Sequence, residues 1–311
     1  MSPTSNFRRS TASITRILGS VLALALFVFL AAATISGYLL YQILTPPRSP
    51  ANVDVTLLMG HPTVYKFTIP GEGTRDGWFF PGLLHGPTIV LCHGYGSQRA
   101  DILTLVTALQ ENQFNVFLFD FVGHGSVPGR TTLGYRETGE LLAAIRGLEN
   151  REDIDTTRFG VWGTDMGGYA ALAAATQEPR IQAVAVDSVY DQPSDFLAIQ
   201  VSHTGLGALP LVKTFCQFGF RMINYQYRTV PPILARLGRL QGIPKLFIES
   251  TDKVELGRDT LQMFEAAPEP KEQAIDTMTY AEMSDESRRN YESRIVNFFL
   301  KYLPPSGQPA Q

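Results

Sequence analysis

Residues 161–168 read Val161-Trp162-Gly163-Thr164-Asp165-Met166-Gly167-Gly168, VWGTDMGG, and their reading decides the fold. The run Arg158 to Trp162 leads into them as a short apolar strand. Met166 to Thr176 follows as a helix of small residues. A strand that turns this sharply into a helix needs permissive backbone angles and close helix–sheet approach. Gly163, Gly167 and Gly168 supply both. Asp165 stands at the centre of the turn. Its carboxylate is either the reacting group of an unusual enzyme or a filler in a turn without chemistry.

Outward from this turn, strands and helices alternate. Thr63 to Ile69 alternates like a half-buried strand, and Trp78-Phe79-Phe80 continues an N-terminal hairpin region. Thr88 to Cys92, Val116 to Phe119, Ile181 to Val186 and Lys245 to Ile248 are short apolar runs, the mark of buried parallel strands. Glu272 to Ile275 is a weaker last strand. Helices are expected over 101–109, 134–148, 256–265 and 286–302. The last carries Tyr291, Ile295, Val296, Phe299 and Tyr302 on one face. This order predicts an α/β fold with a mostly parallel central sheet and helices on both faces. One segment, about 190–240, breaks the rhythm with Phe196, Phe215, Phe218, Phe220, Tyr225 and Tyr227. It is expected as a lid over the strand ends, where ligands of open α/β sheets bind. Two other readings stand beside it. One is a helical excursion packed into the core. The other is an interaction or membrane-surface element, which would expose Phe215, Phe218 and Phe220 together.

The net charge of −3 over 311 residues gives no basic surface and so no pointer to nucleic acid. Cys92 and Cys216 make no metal-ligand pattern. A disulfide between them is open, and Cys92 reads as a small buried hydrophobe. No metal or cofactor is called for, because no histidine–carboxylate cluster has ligand spacing. Ile17 to Leu44 holds no charged residue and exceeds the ~20 residues that cross a bilayer. Arg8, Arg9 and Arg16 precede it, which places residues 1–16 in the cytoplasm and the main domain outside it. The expected organisation is tail 1–16, single-pass anchor 17–44, linker 45–52 and domain 53–311. A signal peptide cleaved near Ala31-Ala32-Ala33 is the alternative.

Three turns in order carry a resemblance. His93-Gly94-Tyr95-Gly96 follows a buried strand. Asp120-Phe121-Val122-Gly123-His124-Gly125 ends the next one. Gly163-Thr164-Asp165-Met166-Gly167 opens a helix. Together they resemble the α/β-hydrolase superfamily over about 64–303, in particular its membrane-anchored serine-peptidase-like and carboxylesterase-like members. The resemblance makes the third turn a nucleophile elbow, G-x-S-x-G, with Asp165 in place of serine. In the second turn, D-x-R-G-H-G, Val122 replaces the usual arginine. His93, Gly94 and His124 then take structural roles, and the N–H groups of Tyr95 and Met166 take that of the oxyanion hole. The acid would be Asp252, then Glu249, with Asp187 third. The base is missing, since no histidine follows His203. Of the five histidines, His61 and His85 lie in the N-terminal region, away from the strand ends that would assemble a site. His203, in the insert, is the first base candidate.

An elbow aspartate has two consequences. In members similar to haloalkane dehalogenases and epoxide hydrolases it attacks carbon directly, since a carboxylate of reference pKa about 3.9 is already ionised. The ester it forms still needs an activated water. For acyl transfer, the carboxylate at a helix N-terminus would accept the oxyanion-hole N–H groups itself. The expected protein is therefore a membrane-anchored pseudo-hydrolase or impaired hydrolase that binds a small apolar ligand or a protein partner. The alternative is an active hydrolase of esters, epoxides or alkyl halides that uses Asp165.

Overall fold

A computed structural model describes residues 4–48 and 60–305. The outer part of the expected linker and the first residues of the expected domain lie outside the described residues. The chain divides into two compact units. One comprises Met1–Ile43 with Ala198–Tyr225, the other Leu44–Leu197 with Gln226–Gln311.

The larger unit is built on one eight-stranded sheet. Its strands are β1 (Thr63–Ile69), β2 (Gly73–Phe80), β3 (Thr88–Cys92), β4 (Asn115–Phe119), β5 (Phe159–Thr164), β6 (Ile181–Asp187), β7 (Lys245–Ser250) and β8 (Lys271–Asp276). They lie in the order β1-β2-β4-β3-β5-β6-β7-β8. β1 and β2 pair antiparallel, as do β2 and β4, and every other pairing is parallel. The helices are α2 (Leu103–Glu111), α3 (Tyr135–Leu148), α4 (Asp165–Ala175), α7 (Val254–Ala266) and α8 (Asp285–Tyr302). All strands expected from the sequence are present. β3, β4 and β6 are apolar runs because both of their faces are covered. α4 is buried along its whole length, which its glycines and alanines allow. A Cβ on Gly167 would stand 2.3 Å from Cys92 O, and one on Gly168 2.4 Å from Val189 Cγ1. Tyr291, Ile295, Val296 and Phe299 of α8 are buried, as their spacing requires.

The smaller unit joins α1 (Thr4–Leu44) to part of the insert. Within it, α5 (Pro193–His203) ends and α6 (Pro210–Ile223) runs its full length. Pro210 opens α6 at a position where a missing N–H costs nothing. Ser36 Oγ lies 2.7 Å from Ala32 O and 3.1 Å from Val212 O, one hydroxyl serving both helices. Cys216 Sγ donates to Ser36 O at 3.6 Å. The rings of Phe29 and Phe215 meet edge to face at 5.1 Å. The insert is thus divided between the units, with residues 198–225 grouped with α1. Phe215, Phe218 and Phe220 are not exposed together: Phe218 is 62% exposed and Phe220 1%. Helical spacing separates them, because Val212, Cys216 and Phe220 form one buried stripe at i, i+4, i+8. Cys92 and Cys216 are both free and buried.

Candidate active site at the strand ends

The parallel register sets several turns side by side. Cys92 pairs with Gly163, Thr164 with Asp187, and Ser250 with Asp276. The residues that follow these strands therefore collect at one edge of the sheet, as ligand sites of α/β sheets do.

Asp165 is the sharp point of the elbow. Its φ is +39, a left-handed conformation that Asp tolerates better than most residues. A Cβ on Gly163 would stand 2.5 Å from Gly167 C, so the turn closes only with glycine there. Asp165 Oδ1 accepts from Tyr95 N at 2.7 Å and also from Met166 N. Its other oxygen, Oδ2, lies 3.5 Å from Lys253 Nζ. A Cβ on Gly94 would meet Oδ2 at 2.6 Å, which accounts for glycine there too. Asp165 is 4% exposed, with both carboxylate oxygens engaged. Lys253 escaped the sequence reading, which looked after β7 only for an acid. Its position at the N-cap of α7, directly after Asp252, was the available signal.

The acid candidates separate clearly. Asp252 is exposed, and its Oδ2 accepts from Thr279 N and Thr279 Oγ1, both at 3.0 Å. It braces the loop before α8, where the resemblance called for a histidine. Glu249 accepts from Gln273 Nε2 on the neighbouring strand. Asp187 is wholly buried in a cage of hydroxyls. Ser188 Oγ at 2.7 Å and Ser250 Oγ at 2.9 Å donate to Oδ1, and Tyr291 OH at 3.1 Å donates to Oδ2. Trp162 Nε1 in turn donates to Tyr291 OH. Burial pushes the Asp187 carboxyl up to about 6, against the pull of these donors.

Among the histidines, His93 is buried with both ring nitrogens used. Nδ1 lies 2.9 Å from Gly94 O, and Nε2 accepts from Phe121 N at 3.0 Å. Burial, with His124 alongside, pulls it down to about 4. It holds two turns together. His124 Nδ1 lies 3.0 Å from Val122 O, while its buried Nε2 has no hydrogen-bond partner among the described residues. Burial lowers its pKa as well. His203 ends α5 with an exposed side chain and belongs to the smaller unit. His61 and His85 are exposed. The second turn is held by Asp120, which accepts from Arg99 N, Ser126 N and Ser126 Oγ. Glu140 Oε2 accepts from Val122 N. A pocket of about 230 Å³ borders the first two turns, with Arg48, Ser97, Asp101 and His124 in its lining.

Known proteins agree with this architecture. The family model of the α/β hydrolase fold matches residues 87–207. YfhR of Escherichia coli O157:H7 is 27% identical over 246 residues, 75% of this chain and 79% of that protein. A protein from the traX-finO intergenic region of Escherichia coli is 32% identical over 106 residues, and that match spans only 37% of its length. The Pyrococcus furiosus esterase Pf2001 superposes with a TM-score of 0.66 over 83% of this chain and 99% of its own, at 20% identity. Sheet order, elbow and the partial family match together give this chain the α/β-hydrolase fold.

Proposed function

We propose that this chain is a membrane-anchored α/β-hydrolase-fold protein whose elbow does not carry out acyl transfer, and whose role is to bind a ligand or partner. The observation that carries the reading is the engagement of both Asp165 oxygens, Oδ1 by Tyr95 N and Met166 N and Oδ2 by Lys253. An oxyanion hole works by offering N–H donors where negative charge develops. Here a negative charge occupies those donors beforehand. A substrate carbonyl would have to displace it and would then develop charge beside it. No histidine fills the loop braced by Asp252, so the base is also missing. The anchor is Arg16–Leu44, a helix of 29 residues long and apolar enough to cross a bilayer. The arginines before it favour a cytoplasmic N-terminus and an extracytoplasmic main domain.

A second reading, hydrolysis through Asp165, is favoured by two features. An ester formed on Asp165 would keep its carbonyl oxygen at Tyr95 N and Met166 N, where those donors would stabilise the intermediate of its hydrolysis. His124 Nε2 also carries a lone pair that no group among the described residues uses. In that reaction the carboxylate attacks an alkyl carbon and halide or an epoxide oxygen leaves. Water then cleaves the ester and restores Asp165.

The test incubates the full chain, in detergent, with aryl esters, an epoxide and a haloalkane, following turnover and intact mass. The proposal expects neither turnover nor adduct. Turnover that disappears in Asp165→Asn would sink it. A stoichiometric adduct that accumulates in His124→Asn but turns over in the unmodified chain would establish the second reading.

A further inference from the structure

We infer that α6 is a second lipid-contacting element, lying in the same bilayer as α1 with its uncovered apolar stripe against acyl chains. The inference rests on the anchor reading of α1 and adds a surface which that reading does not contain.

At about 100° per residue, the side chains of α6 sort into three faces. Val212, Cys216 and Phe220 are buried. Val212 O and Cys216 Sγ both bond to Ser36 of α1, so this face is the one applied to the anchor. Gly219 permits the close approach, since a Cβ there would stand 2.9 Å from Leu40 Cδ2. Lys213, Thr214, Gln217 and Arg221 make a polar face. Between these two, Leu211, Phe218 and Met222 recur at i, i+7 and i+11, all exposed. Ile223 extends the exposed apolar surface at the helix end.

The occupant follows from what α6 is packed on. Its partners are Phe29, Ser36 and Leu40, all inside the span Arg16–Leu44. At 1.5 Å per residue, 29 residues reach about 43 Å, against a hydrocarbon core of about 30 Å. The C-terminal half of the span therefore extends through one leaflet into its interface. A helix attached to that half at Ser36 and Leu40, and reaching the middle of the span at Phe29, is held within the same leaflet. A uniform apolar stripe between a protein-facing and a charged face fits the interface, where such helices sink about 5–10 Å into the boundary of headgroups and acyl chains. Lys213 and Arg221 carry stems long enough to reach the headgroups. The stripe continues a lipid-facing surface, because Phe27, Val28, Phe29 and Leu30 of α1 are exposed as well.

The experiment places single reporters in the full chain, reconstituted in phosphatidylcholine vesicles with or without bromine on the acyl chains. Trp78 and Trp162 are buried and set the background. Leu24→Trp reports on α1, Phe218→Trp and Met222→Trp on the stripe, and Thr214→Trp on the polar face. The added emission at 24, 218 and 222 is expected to fall by about half in brominated vesicles, and that at 214 much less. Quenching at 24 without quenching at 218 or 222 would overturn the inference and leave the anchor reading standing. No quenching at any position would overturn both. Equal quenching at 214 and 218 would also overturn the stripe, since the polar face would then be immersed.

Discussion

Two aspartates stand where neighbouring strands end, Asp165 directly after β5 and Asp187 as the last residue of β6, with Thr164 and Asp187 paired in register, yet they live in different surroundings. Asp165 meets backbone N–H groups at a helix start and a lysine. Asp187 is bonded to three hydroxyls in a fully buried position, where the charge of Lys253 acts on it less than burial does. The first environment is built for a negative charge, and the second resists one. Residue type and strand position therefore do not assign a role to either. The acid candidate with the deepest burial is the worst placed to steady a cationic base. The elbow residue takes up the Tyr95 and Met166 N–H groups, the place where another anion would form.

The contrast can be broken or sharpened in four ways. Asp187→Ala removes the centre of the hydroxyl cage and leaves Ser188, Ser250 and Tyr291 without their acceptor. A loss of roughly 3–5 kcal/mol in urea unfolding is expected. Next comes pH. Burial raises the Asp187 carboxyl to about 6 in the folded chain, from an ordinary aspartate value of about 3.8. The folded state holds the proton more tightly, so this contribution is complete below about 4 and is lost as pH rises through about 6. The loss amounts to about 3 kcal/mol. Glu140, pushed up to about 8 by burial, adds a slope of its own. The readout is therefore the difference between the unmodified chain and Asp187→Asn, which should vanish below pH 4. Asp165→Asn keeps an acceptor for Tyr95 N and Met166 N but removes the charge. It should cost about 1–2 kcal/mol, well short of the Asp187 change; a larger loss would mean that the elbow anion is the more structural of the two. Last, Lys253→Met should cost under about 1 kcal/mol, because the lysine side chain is 36% exposed and the pair is screened. A measured loss near that of Asp187→Ala would mean the Asp165–Lys253 pair is closed to water.

What the sequence made legible follows from range. The strand-turn-helix of VWGTDMGG is written in local backbone constraints. Gly163 and Gly167 are glycines because a Cβ would strike the chain, and such demands show in any sequence that meets them. The occupation of the Tyr95 and Met166 donors by Asp165 was legible for the same reason, since donor and acceptor lie in one turn and its neighbour. Lys253 was not, because its contact with Asp165 joins the ends of β5 and β7 and depends on a rotamer. The fate of the aromatic insert was illegible for a stronger reason. Composition marks α6 as amphipathic. That its buried stripe answers to Ser36 and Leu40, about 180 residues earlier, is a pairing no local pattern encodes. The histidines show a third limit. His124 and His93 both sit in glycine turns, yet only coordinates distinguish the fully bonded His93 from His124 with its unused nitrogen.

The smaller unit is discontinuous in sequence, drawn from residues 1–43 and 198–225. That arrangement bears on whether the protein can be shed. In a chain tethered by its first helix alone, one cut in the 45–52 linker would set everything downstream free. Here the downstream piece carries α6, which keeps its bonds to Ser36 and its exposed apolar stripe after the cut. Release would need two further scissions, one on each side of residues 198–225, and those would divide the sheet-bearing unit between β6 and β7. A specific protease site placed at 49–52 reads this directly. The expected result is a cleaved chain whose larger fragment still sediments with the vesicles; its appearance in the supernatant would mean that α6 does not hold on its own.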